Sequence, residues 1–174
     1  MYGFKWSPVF AQIDLKKCTI KIKDGTTPTA NELEITIGEG NLTYTERVNR
    51  EYTLDRGTLD EVRDGDEVPC ELKMDFTWDY ISSRSGGTAT IEDALKQLNE
   101  ASGWVTSDTD TCRPYAVDVE VVYEPTPSSC GDKETILFSD FRYEELGHDL
   151  REGTISCSGR CNVTKPTVTR AAQS

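Results

Sequence analysis

The chain has little of what most often carries chemistry: one histidine, two methionines and, despite six cysteines, no CxxC knuckle in 174 residues. With His148 as the sole imidazole, a triad, a histidine zinc site or a proton shuttle would have to be built around it. Its setting, "ELGHDL", reads as a loop or short helical turn with no serine or cysteine motif beside it. The cysteines lie on separate segments, which opposes a zinc ribbon or finger. No phosphate loop, dinucleotide fingerprint or nucleophile elbow occurs. The sequence therefore predicts a protein that is not an enzyme and holds no cofactor and no metal.

Long apolar runs are missing too. No stretch approaches the ~18 apolar residues of a membrane span. The opening "MYGFKWSPVFAQIDLKK" has neither a continuous apolar run nor a small-residue cleavage site, so no export signal is expected. Basic charge is in deficit: 19 Lys and Arg stand against 31 Asp and Glu, a formal net charge of -12. That balance opposes nonspecific attraction to nucleic acid or to an anionic membrane. The exceptions are the ends, since residues 1–23 hold five lysines against Asp14 alone and residues 165–174 hold Lys165 and Arg170 with no acid. Basic tips on an acidic body suit head-to-tail self-association, and solvated termini are the plainer alternative.

The acid is clustered at Asp60, Glu61, Asp64, Asp66 and Glu67, and again at Asp108 and Asp110. Neither group fits the twelve-residue calcium loop with its terminal glutamate, and both read as solvated turns. The sequons "NLT" at 41 and "NVT" at 162 have no export signal to make them meaningful. Six cysteines (Cys18, Cys70, Cys112, Cys130, Cys157 and Cys161) favour disulfides by their even count, yet a chain without a leader is made in a reducing compartment. A particle assembled in the cytoplasm and later released into oxidising surroundings resolves that conflict.

Alternation is what the sequence does have. Cys18, Ile20 and Ile22 interleave with polar residues, as do Leu33, Ile35 and Ile37, and then Val117, Val119, Val121 and Tyr123. In "REGTISCSGRCNV", Ile155, Cys157, Gly159, Cys161 and Val163 share one side of an extended strand. Four residues of strand span roughly 13 Å, whereas a disulfide needs Cα atoms within about 7 Å, so Cys157 and Cys161 should not bond each other. The longest run is "VPCELKMDFTWDY", with Val68, Cys70, Leu72, Met74, Phe76, Trp78 and Tyr80 on one side and Glu71, Lys73, Asp75, Thr77 and Asp79 on the other. Such a strand would stretch roughly 40 Å, which suits a sheet continued across subunits or a long hairpin projecting from the domain. "RDGDE" at 63–67 is the turn leading into it. One helix is expected after "SRSGG": Thr90 caps it, Asp93 completes the capping box, Ile91, Ala94, Leu95 and Leu98 form an apolar stripe of about three turns, and Gly103 ends it. The fold class is mainly β with one flanking helix. The chain divides into an N-terminal arm (1–14), a single β-rich domain (15–166) and a C-terminal tail (167–174).

The segment "ILFSDFRYEELGHDLREGTISCSGRCNVTKPTV" resembles the closing part of tail tube proteins of long-tailed bacteriophages: an aromatic strand, an L-x-x-G step and an SGxCN strand. The order of early strands, a "GDE" turn into a long aromatic-ended strand, one helix and more strands agrees as well. As letters the resemblance covers residues 136–166. It implies a β-sandwich or small barrel that forms a homo-hexameric ring. Rings would stack into a hollow tube, assembled in the host cytoplasm, through which phage DNA passes without specific binding. The tube's ends would meet other tail proteins, a sheath or terminator on one side and a baseplate or tip on the other. Glu71, Asp75 and Asp79 would then line the lumen and repel phosphate. The six cysteines exceed what the family leads one to expect. They are candidates for cross-links between subunits or rings, Cys112 and Cys130 foremost because they stand in loops, with buried free thiols as the alternative. The competing reading is a monomeric, disulfide-stapled β-sandwich that binds a carbohydrate or a protein. Against it stand the missing leader and the scatter of Trp6, Trp78 and Trp104.

Overall fold

A computed structural model describes residues 18–35, 41–77, 89–124 and 132–171. Trp6, Asp79, Cys130 and the arm at 1–14 lie outside the described residues, as do Trp78 and Tyr80 at the end of the expected long strand. The strands in chain order are β1 (Cys18–Lys23), β2 (Glu32–Ile35), β3 (Leu42–Thr45), β4 (Arg50–Asp55), β5 (Thr58–Asp64) and β6 (Glu71–Thr77). After helix α1 (Ile91–Lys96) come β7 (Val117–Tyr123), β8 (Lys133–Asp149), β9 (Thr154–Cys161) and β10 (Thr167–Ala171). Every pairing between them is antiparallel. Among the described residues, no helix is long and apolar enough to cross a membrane.

Strand β8 organises the fold. Its first half pairs with β7 on one side and β10 on the other, and its second half pairs with β9. The sheet thus has two lobes, β2-β1-β7-β8-β10 and β8-β9-β6-β3, joined through one 17-residue strand. Two irregularities bend that strand. Asp140 has a positive φ of 54°, a left-handed conformation, and the register with β9 shifts between Tyr143 and Glu145. Phe138 and Phe141 stand on either side of Asp140, three residues apart, and both are fully buried. The Tyr44 ring of β3 meets the Phe138 ring of β8 edge-on, with centroids 5.1 Å apart. A flat sheet would hold β3 three strand spacings from β8, roughly 14 Å, so this contact requires the lobes to fold toward each other.

The alternating strands lie as their sequences predict. In β6, Leu72, Met74 and Phe76 are buried and Lys73 and Asp75 exposed; in β9, Ile155, Cys157, Gly159 and Cys161 are buried. Of the long apolar run, residues 71–77 form β6 and 78–80 lie outside the described residues; the longest described strand is β8, with 17 residues. His148 sits within β8 opposite Ile155, not in a loop or helical turn. Thr167–Ala171, read as tail, pairs with Lys133–Leu137 because "TVT" is β-branched and continues the edge that β9 begins.

The helix has its capping box: Asp93 N–H donates to the Thr90 hydroxyl and Thr90 N–H to the Asp93 carboxylate. It is shorter than the stripe predicts. Gln97 adopts a left-handed conformation (φ 55°), its side-chain amide donates to the Trp104 carbonyl at 2.7 Å, and Asn99 donates to Asp93 at 2.6 Å. These side-chain bonds reverse the chain before Leu98, which is left exposed, and well before Gly103.

One buried acid ties the first turn to the body. Asp24 accepts from Thr26 N–H and Oγ1, from Asn31 N–H and Nδ2, and from Val105 N–H. Burial pushes its carboxyl up, but the hydrogen bonds from Thr26, Asn31 and Val105 outweigh it and hold the pKa below the usual 3.8. A depressed carboxyl stabilises the fold above its unfolded pKa and loses that contribution as pH falls through the folded value. Asp24→Ala is therefore expected to cost about 3 kcal/mol in urea unfolding at neutral pH. The gap to the wild type should close as pH drops below 3.8.

Candidate assembly interface

The hairpin β4–β5 stands apart from the main sheet. It forms a two-stranded sheet of its own, and every residue of both strands is exposed. Arg56 and Gly57, both with positive φ (49° and 83°), make the two-residue turn whose twist suits a tight hairpin. At the base, Gly65 N–H donates to Asn49 O at 2.9 Å and Arg50 pairs with Asp64.

Its two faces differ. Tyr52 lies opposite Val62 and Leu54 opposite Leu59, and directly opposed residues share a face. Leu59 and Val62 are three apart and would point to opposite sides of a regular strand. The register shift at Thr53/Leu54 turns them to the same side. One face therefore carries Tyr52, Leu54, Leu59 and Val62, each 54% to 64% exposed. The other carries the pairs Glu51–Arg63, Thr53–Glu61 and Asp55–Thr58. A two-stranded ribbon is marginal alone in water, and no described residue covers the apolar face of this one.

This exposed ribbon precedes the run in which a long hairpin was expected. The "RDGDE" turn is the exit from β5 into β6. The four apolar residues escape a period-two reading because the bulge breaks the period, although "DRG" between Leu54 and Leu59 marks the turn.

Strands β2, β3 and β10 each pair on one side only among the described residues, leaving three open edges. On the polar face of the second lobe, Glu71, Lys73, Asp75 and Thr77 stand opposite Arg160, Ser158, Ser156 and Thr154. A shallow depression of about 320 Å³ lies among Asn41, Thr43, Lys73, Asp75, Glu145 and Ser156. Charge on this face is mixed. Arg47 (3.2 Å) and Arg160 (3.9 Å) hold Glu71, whereas Asp75 is exposed and has no ion-pair partner among the described residues.

The cysteines separate by burial. Cys70, Cys157 and Cys161 are free thiols with at most 2% exposure, and burial pushes Cys157 and Cys161 up to about 12. Cys157 and Cys161 do not bond each other. Cys112 is an exposed free thiol in the loop before β7, and Cys18 is half-buried at the start of β1. Thiolate is the reactive form, so a water-soluble thiol reagent at neutral pH should modify Cys112 within minutes and spare Cys70, Cys157 and Cys161 until denaturant is added. Peptide mass spectrometry reads this directly, and equal labelling of Cys157 and Cys112 would contradict it.

The remaining candidates have structural partners. Asp108 is buried and accepts from Arg142 at 2.6 Å, with Arg113 at 3.5 Å, so guanidinium groups occupy the positions a cation would take. His148 Nε2 lies 3.6 Å from Glu92 of α1, both partly exposed.

No protein-family model matches the chain, and no curated protein matches it. Among solved structures it is similar to a chain of the anti-feeding prophage baseplate, determined by cryo-EM with sixfold symmetrisation. The TM-score is 0.42 and the identity 12%, covering 88% of this chain and 92% of that chain.

Proposed function

We propose that this chain is a structural virion subunit with no catalytic role, six copies of which close into a ring that stacks into the hollow tail tube of a long-tailed bacteriophage. The observation that carries this reading is the β4–β5 ribbon, whose bulge gathers four apolar side chains onto a face that nothing in the described chain covers. A soluble protein that builds such a face specifies a partner for it. Open edges at β2, β3 and β10 are the second support, because a sheet continued from copy to copy pairs them. The third is the sequence resemblance over 136–166, the segment that forms β8 and β9.

In this role the polar face of β6, β9 and the second half of β8 turns to the lumen. Asp75 supplies repulsion toward phosphate, while Glu71 is held by its arginines. Cross-links between copies after release fall to Cys112, with Cys130 as the other loop candidate, because the buried thiols cannot reach a neighbour. Other tail proteins cap the two ends of the stack, and DNA transits without being bound.

Electron microscopy of the purified full chain, with sedimentation velocity across concentration, tests the proposal. Sixfold rings or hollow rods are expected. A monomer at every concentration and salt condition would refute it.

A further inference from the structure

Of the buried thiols Cys70, Cys157 and Cys161, two face each other. In the ladder between β6 and β9, Glu71 lies opposite Arg160, and one step further the same register places Cys70 opposite Cys161. The Cys161 N–H carries that step, donating to the Cys70 carbonyl at 2.9 Å. Directly opposed residues of an antiparallel pair share a face, and both side chains enter the core, at 0% and 1% exposure. Their Cα atoms are then about 5.5 Å apart, inside the ~4.4–6.8 Å range of a disulfide. Burial pushes both thiols up, and for Cys161 the nearby Cys70 adds to it.

A hydrogen-bonded pair holds its Cβ atoms about 5.5 Å apart, wider than the ~3.5–4.5 Å of a bridge. The backbone here has slack to close that gap. The Cys70 N–H passes over Cys161 and donates to the Val163 carbonyl at 2.8 Å, so one bond rather than two holds the pair. The pair also stands at the end of the ladder, where strands open most readily. Beside it is a depression of about 520 Å³ lined by Pro69 and Asn162, the sequence neighbours of the two cysteines, and by Val163. Cys157 is placed differently, with Met74 opposite on β6 and Leu146 on β8, neither of which can form a disulfide.

We propose that Cys70 and Cys161 are a redox site: thiols in reducing surroundings, they join as a disulfide within one chain when a low-molecular-weight disulfide such as oxidised glutathione is in excess. One cysteine thiolate attacks a sulfur of the small disulfide and expels a thiolate, leaving a mixed disulfide. The second cysteine thiolate attacks the protein sulfur of that intermediate, forms the Cys70–Cys161 bond and expels the other small thiolate. Two electrons pass to the small disulfide, which departs as two thiols carrying the two cysteine protons. The bridge ties β6 to β9 and closes a loop of about 90 residues that contains α1, β7 and β8. It lies within one chain, so it goes beyond the assembly reading and holds with or without neighbouring copies.

The test uses the full chain, reduced, unfolded in urea and diluted into a mixture of reduced and oxidised glutathione, so that burial does not limit access. Remaining thiols are then blocked with iodoacetamide in urea and the chain is cut with trypsin. The expected product joins residues 64–73 to residues 161–170 through one disulfide, while Cys157, in residues 152–160, carries the blocking group. Recovery of Cys70 and Cys161 as blocked thiols, or of either joined chiefly to a third cysteine, overturns the proposal. Oxidation should also raise the melting temperature by at least about 4 °C in the wild type and in Cys157→Ala, and leave it unchanged in Cys70→Ala. An equal rise in Cys70→Ala would assign the effect to another pair and count against the site. If Cys70→Ala does not fold, the peptide map of the wild type still decides.

Discussion

Gly159→Ala is expected to destabilise the fold by at least about 3 kcal/mol, enough to leave much of a marginal domain unfolded. A Cβ at this position would stand 2.1 Å from the Arg142 carbonyl oxygen, 2.8 Å from the Phe141 ring and 2.8 Å from the Tyr143 Cα. Two of those neighbours are backbone, in the strand that pairs with β9, so no side-chain rotation relieves the clash. Either β8 and β9 separate at the pair Tyr143–Gly159, or Phe141 leaves a site where it is 1% exposed. Both damage the seam through which β8 carries the second lobe. Gly103 provides the control, since a Cβ there meets nothing within 4 Å and its φ is not in the left-handed range. Gly103→Ala should leave the urea midpoint within the scatter of surface substitutions, about 0.5 kcal/mol. If Gly159→Ala behaves the same way, β8 and β9 do not pack at this distance.

The glycine also marks how far the sequence could be read. Gly159 falls in the inward series of β9, between Cys157 and Cys161, and alternation places it there without showing why it lacks a side chain. The reason, the approach of Phe141 and the Arg142 backbone, belongs to another strand. The regular stretches were legible: β1, β6, β7 and β9 bury the central residues their period-two patterns assign, with Cys18 and Tyr123 at strand ends half-buried. Strands with bulges were not. In β8 the inward positions jump from Phe138 to Phe141 across Asp140, whose left-handed backbone is held by tertiary partners. Its N–H donates to Asp118 at 2.9 Å and its carboxylate accepts from Ser107 at 2.9 Å. Neither bond can be inferred from neighbours in sequence, so the segment split into an aromatic strand and a loop containing His148. The same failure hid the ribbon, where Leu59 and Val62 look out of phase until the bulge is known. At the helix, the local rule gave the cap and missed the stop, because Asn99 and Trp104 end it from beyond the stripe.

The ribbon also provides the sharpest separation between folding and assembly. Under the proposed assembly, Leu54→Asp with Leu59→Asp should abolish rods and rings at concentrations at least 100-fold above the wild-type threshold, without lowering the melting temperature of the monomer. The two leucines are 61% and 64% exposed, so the folded monomer draws little from them, and surface changes of this kind stay within about 0.5 kcal/mol. An interface that covers them gains about 1.5 kcal/mol or more from each, and a buried, unpaired aspartate in the same place adds a desolvation cost to that loss. The combined change exceeds the 2.7 kcal/mol that corresponds to 100-fold. Leu72→Asp, in a site with 0% exposure on β6, should do the reverse and remove the monomer's cooperative unfolding transition itself. Sedimentation velocity and thermal melts on the same samples read both quantities. Should the Leu54/Leu59 variant assemble like the wild type, the apolar face is not an interface. Should it melt far below the wild type, the face is covered within one chain, and the subunit is complete without its neighbours.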